Sequence, residues 1–304
     1  MTATLVTGGL GYLGRYLVRA LAGRGESVVS YNRDFVDSTE PHVRYVQGEL
    51  YDLPRLVDTL RQNDVNRIIH TAAMSHPELS IDLPITTFTA NVDGTLHVLE
   101  AARMTKVRRF INFSSECAYG NNEGGLVRED APLRPTTPYG ITKVTTEMLG
   151  RVYTDIYGLD VISLRPAELY GPGNRMPQYL REMIRAGLNG TPYRMDKGAA
   201  HLFHFVQVAD VARATVLAAD VAKPAQRIYN VTGGPQTSLG RAAEIVREAI
   251  PRADISIGPG FIDSLDRNGP FDISAAERDL GYRPSCTVEE GIRSYVEWLR
   301  TNAY

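Results

Sequence analysis

Tyr139 and Lys143 stand four residues apart behind Pro138, a spacing that sets both side chains on one face of a helix starting near the proline. An ammonium held near a phenol favours the phenolate, so the pair describes a tyrosine of lowered pKa that takes a proton near neutrality. Such a base is useful beside a hydride acceptor, and residues 8–14 describe a place for one. Gly8, Gly11 and Gly14, with Tyr12 and Leu13 between them, follow the apolar run Ala3–Thr7 and precede residues 16–22 at helical spacing. Glycines there allow a tight turn, close approach of a pyrophosphate and close helix packing. The helix start adds free N–H groups and a positive dipole end for the phosphates.

The chain of 304 residues carries a net charge of -2 with both signs dispersed, which argues against a nucleic-acid partner. Cys117 and Cys286 have no metal-ligand spacing; no metal is expected, and a reduced, cytoplasmic setting is. Residues 1–4 show no signal-peptide layout, and no apolar run approaches the roughly 18 residues of a membrane span.

The elements that must position these groups alternate strand and helix. Strands are expected over residues 27–31, 43–47, 67–71, 109–113 and 227–231. Helices are expected through Leu60, from Asn91 to Met104, from Pro138, over 177–186, from an N-cap at Ser238 to Ala249, and over 288–299 with Trp298 in the core. The second strand ends in Asn32-Arg33-Asp34, where an NAD site usually has an acidic residue for the adenine ribose. Asn32 is neutral and the Arg33 guanidinium suits a 2′-phosphate, so NADP is expected over NAD. Thr71, Ala72 and Ala73 end the fourth strand with small residues that leave room for a cofactor, while His70 reads as a packed core residue. Residues 256–269, rich in Gly, Pro and Asp with no period, read as a mobile loop on the substrate side.

Read together, the motifs resemble those of the extended short-chain dehydrogenase/reductases, in the NAD-dependent epimerase/dehydratase group. They are Gly8-x-x-Gly11-x-x-Gly14, Gly48-Glu49-Leu50, His70-x-Ala72-Ala73, Asn91-Val92-x-Gly94-Thr95, Ser114-Ser115-x-x-x-Tyr119-Gly120 and Tyr139-x-x-x-Lys143. Leu164-Arg165-Pro166, Tyr170-Gly171-Pro172, Phe205-Val206-x-Val208-x-Asp210-Val211 and Leu280-Gly281-Tyr282-x-Pro284 extend the match over nearly the whole chain. The resemblance implies an α/β fold: a doubly wound parallel (Rossmann) sheet with a smaller C-terminal substrate-binding lobe. Residues 1–166, with a return over about 203–232, would form the dinucleotide-binding domain, and 167–304 mainly the lobe. It also implies a homodimer.

By the same resemblance Ser115 and Tyr139 hydrogen-bond the reacting oxygen, and Lys143 holds the nicotinamide ribose. The glycine loop, Asn32, Arg33, Glu49, Leu50, Thr71, Ala72, Ala73, Asn91 and Pro166 would line the cofactor. Ser75, Ser115, Glu168, Asn174 and Arg175 would line the substrate. Two departures stand out. Glu116 and Cys117 follow Ser115 where simple 4-epimerases have small or hydroxylic residues and 4,6-dehydratases an acidic pair. Either could move a proton at a carbon next to a ketone, and Cys117 is placed as the catalytic cysteine of GDP-mannose 3,5-epimerase is; a small buried hydrophobe is the other reading of the thiol. At the substrate end, Glu168 replaces an asparagine, and Phe203-His204 replace an Arg-Asp pair, near the expected diphosphate. A carboxylate about 5 Å from a phosphate costs roughly 3 kcal/mol at an effective dielectric near 20. A nucleotide sugar then needs Glu168 protonated, turned away, or offset by Arg175, Arg181 or Arg267. The expected activity is a sugar epimerase or dehydratase with internally recycled cofactor; the alternative is an NADP-dependent reductase of a smaller carbonyl or alcohol.

Overall fold

The computed structural model describes residues 2–302. Seven strands form one sheet: β1 (Ala3–Thr7), β2 (Val28–Asn32), β3 (Val43–Gln47), β4 (Val65–His70), β5 (Arg109–Phe113), β6 (Asp160–Pro166) and β7 (Ile228–Val231). Their order is β7-β6-β5-β4-β1-β2-β3, parallel throughout. Every residue of β1, β2 and β5 is buried, as befits strands covered by helices on both faces. The order reverses between β1 and β4, and a ligand crevice belongs at the C-terminal ends of those two strands.

The helix carrying Tyr139 and Lys143 runs over Pro138–Tyr157. Pro138 takes its first position, and the Thr137 hydroxyl caps it by accepting from the Gly140 N–H at 3.1 Å. Gly158, at φ 71°, ends it in the left-handed conformation. Beside it lies Gly94–Met104, entered through a wider π turn over Thr89–Asp93 that turns Asn91 inward.

A second apolar core joins the helices Tyr179–Asn189, Leu239–Ala249 and Val288–Thr301 through Leu180, Ile184, Ile245, Val246, Ile292 and Tyr295. Trp298 packs, half-buried, against it. Ser238 caps its helix as expected. The helix expected from residue 177 begins instead at Tyr179, because Gln178 holds an extended N-cap conformation. The expected loop over 256–269 also needs correction. Ser256 lies in a strand, Ile255–Ile257, paired in parallel with Tyr193–Met195. Beyond it the segment is a strap, clasped by Thr136 on Asp266 at 2.8 Å, by Asn121 on the Arg267 N–H at 2.9 Å and by Gln236 on the Asn268 carbonyl at 2.8 Å. Polar side chains in a glycine-rich stretch find long-range partners that no local period announces. Among the described residues no helix is long and apolar enough to cross a membrane.

Candidate active site

The glycine loop closes on itself. The Gly11 N–H bonds the Gly8 carbonyl at 2.8 Å, and a Cβ at Gly14 would stand 2.1 Å from that same oxygen. Gly8 sits at φ 68° with Ala72 3.0 Å from where its Cβ would be, so the loop and the end of β4 leave a bare backbone groove. Helix Tyr12–Ala22 starts there with no side-chain cap and no acid in its first turn. Its first N–H groups are thus free for an anion. Several of the residues expected at the cofactor tie the strand ends to the neighbouring helices. Asn91 accepts from the Met74 N–H at 2.8 Å and donates to Thr142 at 3.0 Å, bracing the segment after β4 against the helix Pro138–Tyr157. Thr71 donates to the Thr7 carbonyl at 2.7 Å. Leu50 packs against Gly94, Tyr31 donates to the Glu49 carbonyl at 3.0 Å, and Leu13 is partly buried in the core. Pro166 ends β6. Tyr12 donates to the Gly171 carbonyl at 3.1 Å.

Asn32 is placed differently from expectation. Its side chain is buried, accepting from the Leu10 N–H at 2.9 Å and donating to Ser30, so it shapes the loop. Arg33 stays on the rim, 77% exposed and 3.7 Å from Asp34.

Ser115, Tyr139 and Lys143 come together where β5 meets the helix Pro138–Tyr157, and all three are buried. Ser115 caps the turn Glu116–Ala118, its Oγ accepting from the Cys117 N–H at 3.2 Å. Lys143 Nζ lies 5.4 Å from the centroid of the Tyr139 ring and donates to the Phe113 carbonyl at 2.8 Å. The electrostatics correct one expectation. Tyr139 is shifted up, not down: burial dominates, and Cys117, Glu116 and Glu168 add to it against the Ser115 hydrogen bond. Lys143 is itself lowered to about 8 by burial and does not offset that cost.

Glu116 and Cys117 share the turn after Ser115. The Glu116 carboxyl is raised well above the usual range by desolvation, then by Glu168 and Asp266, so it tends to the neutral acid. Burial and Glu116 push the Cys117 thiol up to about 12. A thiol held there can donate a proton but is a poor resident base, which weakens the case for it as the proton acceptor. Glu168, on the strand Glu168–Tyr170, is raised by burial and accepts a hydrogen bond from Gln178. Asn174 is buried and accepts from the Met176 N–H at 2.9 Å, Ser75 reaches the Met176 sulfur at 3.7 Å, and Arg175 lies exposed between them. Arg181 pairs with Glu182 at 2.6 Å and Arg267 with Glu123 at 2.5 Å.

His70 is a core residue, as read from the sequence. Its Nδ1 meets Thr7 Oγ1 at 2.7 Å, its Nε2 meets Thr95 Oγ1 at 3.1 Å, and burial lowers it to about 3. Three residues at the cleft carried no role in the sequence: Gln178, Asp266 and His204. Only His204 left a trace there, as a departure from a family motif; the other two stand in segments without one.

The sequence matches the model of the NAD dependent epimerase/dehydratase family over residues 4–232. It is 30% identical over 314 residues to a UDP-glucose 4-epimerase of Mycolicibacterium smegmatis, covering 99% of each chain. A dTDP-glucose 4,6-dehydratase of Streptomyces antibioticus is 28% identical over 269 residues, 86% of this chain and 78% of that one. The fold superposes on the crystal structure of a Thermus thermophilus UDP-glucose 4-epimerase in complex with NAD. The TM-score is 0.88, the identity 27%, and the coverage 99% of this chain and 100% of the other.

Proposed function

This chain belongs to the NAD dependent epimerase/dehydratase family, and from that premise we propose that it oxidises and re-reduces a nucleotide sugar within one turnover, with Glu116 moving a proton on the intermediate ketone. It is an NAD(P)-dependent enzyme. The observation that carries the proposal is the placement of the Glu116 carboxyl on the turn that follows Ser115, with the Tyr139–Lys143 pair buried beside Ser115; desolvation there favours the neutral acid.

The cradle suits a dinucleotide: a side chain at Gly8 would crowd the end of β4, one at Gly14 would strike the loop backbone, and the uncapped helix start supplies N–H donors for phosphate. A bound nicotinamide supplies a hydride acceptor that later returns the hydride. In its ionised form, which burial disfavours and the neighbouring Lys143 ammonium favours, Tyr139 takes the proton of the substrate hydroxyl as hydride leaves that carbon, and Ser115 holds the same oxygen. Lys143 binds the ribose and sets its positive charge beside the phenol. The ketone so formed acidifies its neighbouring C–H bonds, and Glu116 gives a proton to, or takes one from, that part of the ring. Glu168 meets a diphosphate at low electrostatic cost when it is protonated, the direction in which its burial pushes it. A reductase of a smaller carbonyl is not favoured, since the relatives that match along the chain are named as enzymes of nucleotide sugars.

For the cofactor we place NADP ahead of NAD, because no carboxylate stands at Asn32 and Arg33 lies on the rim beside it. Residues 1–166, with 203–232, serve the cofactor, and 167–304 mainly the substrate. A homodimer is the assembly we assign. Leu96 and Met104 on one helix and Met148, Val152 and Ile156 on its neighbour leave a stripe of exposed apolar side chains that a second copy would cover. Light scattering tests it: Met148→Glu should yield monomer, and a monomeric native protein would remove the assignment.

The central test is Tyr139→Phe with UDP-glucose and dTDP-glucose as substrates, followed by nicotinamide absorbance and by NMR of the sugar. Turnover should fall by about 10²–10⁴-fold with the melting temperature unchanged. Full activity in that variant would end the proposal.

A further inference from the structure

Among the described residues, Glu116 has a histidine within reach of its carboxyl, brought from a distant part of the chain. His204 lies between the short strands Leu202–Phe203 and Phe205–Gln207, 3% exposed, with Nδ1 4.0 Å from Glu116 Oε2. Its other nitrogen is already committed: Nε2 accepts from the Phe271 N–H at 3.2 Å. In a neutral imidazole the proton then belongs on Nδ1, the side that faces Glu116. Two further contacts fix the ring. It stacks on Phe271 with centroids 4.1 Å apart and planes 29° apart, and the His204 carbonyl accepts from the Glu168 N–H at 3.2 Å.

The remaining groups that face Glu116 are Glu168 from the neighbouring strand, Asp266 from the strap, Cys117 and Ser115 from its own turn, and Tyr139 from the catalytic helix. Both carboxylates oppose ionisation of Glu116, and burial opposes it most. Unrelieved, that environment would keep the acid permanently protonated, able to give a proton and then strained to remain without it. An N–H on the side facing the carboxyl, 4.0 Å away, relieves that cost when the carboxylate forms and closes to hydrogen-bond distance. Burial holds His204 neutral, at about 4, so it contributes a dipole and a hydrogen, with no formal charge.

We infer that His204 is a positioning residue for Glu116: its Nδ1–H turns the carboxyl toward the substrate and stabilises the carboxylate left after each proton transfer, so that Glu116 can cycle. The inference rests on the proposed role of Glu116 in the reaction. It goes beyond it in assigning a second residue, far away in the chain, to the control of that proton.

The test separates the two. Infrared titration of the enzyme without substrate follows the protonated carboxyl band that Glu116→Gln removes. His204→Phe keeps a ring against Phe271 and drops the donor; it should raise the Glu116 midpoint by about one pH unit or more, and His204→Gln, which retains an N–H, should restore most of the shift. In heavy water with UDP- or dTDP-glucose, His204→Phe should slow deuterium entry at the carbon next to the ketone by about tenfold or more, with nicotinamide reduction unchanged. ¹⁵N-histidine NMR of the unmodified enzyme gives a readout that needs no histidine variant: Nδ1 should be protonated at pH 7, and its shift should follow a titration step that Glu116→Gln abolishes. An unmoved Glu116 midpoint in His204→Phe, or an Nδ1 shift blind to Glu116, overturns the inference. Absence of nicotinamide reduction with either sugar overturns the proposed function instead, and leaves the infrared and NMR results to stand or fall alone.

Discussion

Gly140, inside the Tyr139-x-x-x-Lys143 pattern, offers a way to displace the catalytic tyrosine without touching it. A Cβ at this position would lie 2.5 Å from the Cys117 carbonyl oxygen and 2.9 Å from Pro135 Cβ. The oxygen is backbone and cannot swing aside, so reaching an ordinary contact of 3.4 Å means moving the helix start by about 0.9 Å from the turn bearing Ser115, Glu116 and Cys117. Two stability effects oppose each other. Alanine improves a helix interior over glycine by about 1 kcal/mol, while overpacking costs about 1–3 kcal/mol. Gly140→Ala should therefore lose no more than about 2 kcal/mol in urea denaturation. The activity loss should be far larger, because a misplacement near 1 Å costs on the order of 10²-fold in rate. Gly150→Ala, in the same helix, is the control. Its Cβ meets a single Val161 methyl at 2.8 Å, which can yield, and turnover should stay within about twofold of the parent. The measurement is the rate of nicotinamide reduction in a single turnover, beside the urea curve. Parental rates in Gly140→Ala, or equal losses in both variants, would refute the claim that this close approach positions Tyr139.

Three further outcomes follow from the same structure. Arg165 and Glu147 form a two-pronged pair with both bonds at 2.7 Å and side chains 2% and 4% exposed, so Glu147→Ala should cost about 3–5 kcal/mol in urea denaturation; a loss below 1 kcal/mol would contradict it. His70 is lowered in the fold from its ordinary 6.5 to about 3, so the unfolded chain binds the proton first. Its contribution is whole above pH 6.5 and is lost as pH falls toward 3, about 2 kcal/mol of it by pH 5, and His70→Gln should flatten that limb of the stability curve; an unchanged slope would count against it. Arg33→Ala should weaken NADP at least about tenfold more than NAD by calorimetry, and equal losses for both would return the choice to NAD.

Much of this site could be seen in the chain before any folding was considered. The glycine spacing, the period of Tyr139 and Lys143, and the runs that became β1 and β5 are local patterns, set by backbone sterics and by which faces must be buried. The Ser115, Glu116 and Cys117 turn could likewise be placed, because it directly follows a strand. What the tertiary structure alone decided were the charges and their neighbours. Lys143 lies on the correct face, yet burial outweighs its attraction and Tyr139 is raised, a balance that depends on desolvation and not on spacing. Asn32 stands at the expected strand end, yet turns its amide to Leu10 because the loop offered a nearer partner. Glu116 and His204 are 88 residues apart by their numbers and come within 4.0 Å only in the folded chain, where Phe271 holds the His204 ring by stacking and by its N–H. Pairings of that reach leave no period in a sequence; they exist once the sheet and the lobe have fixed where each strand ends.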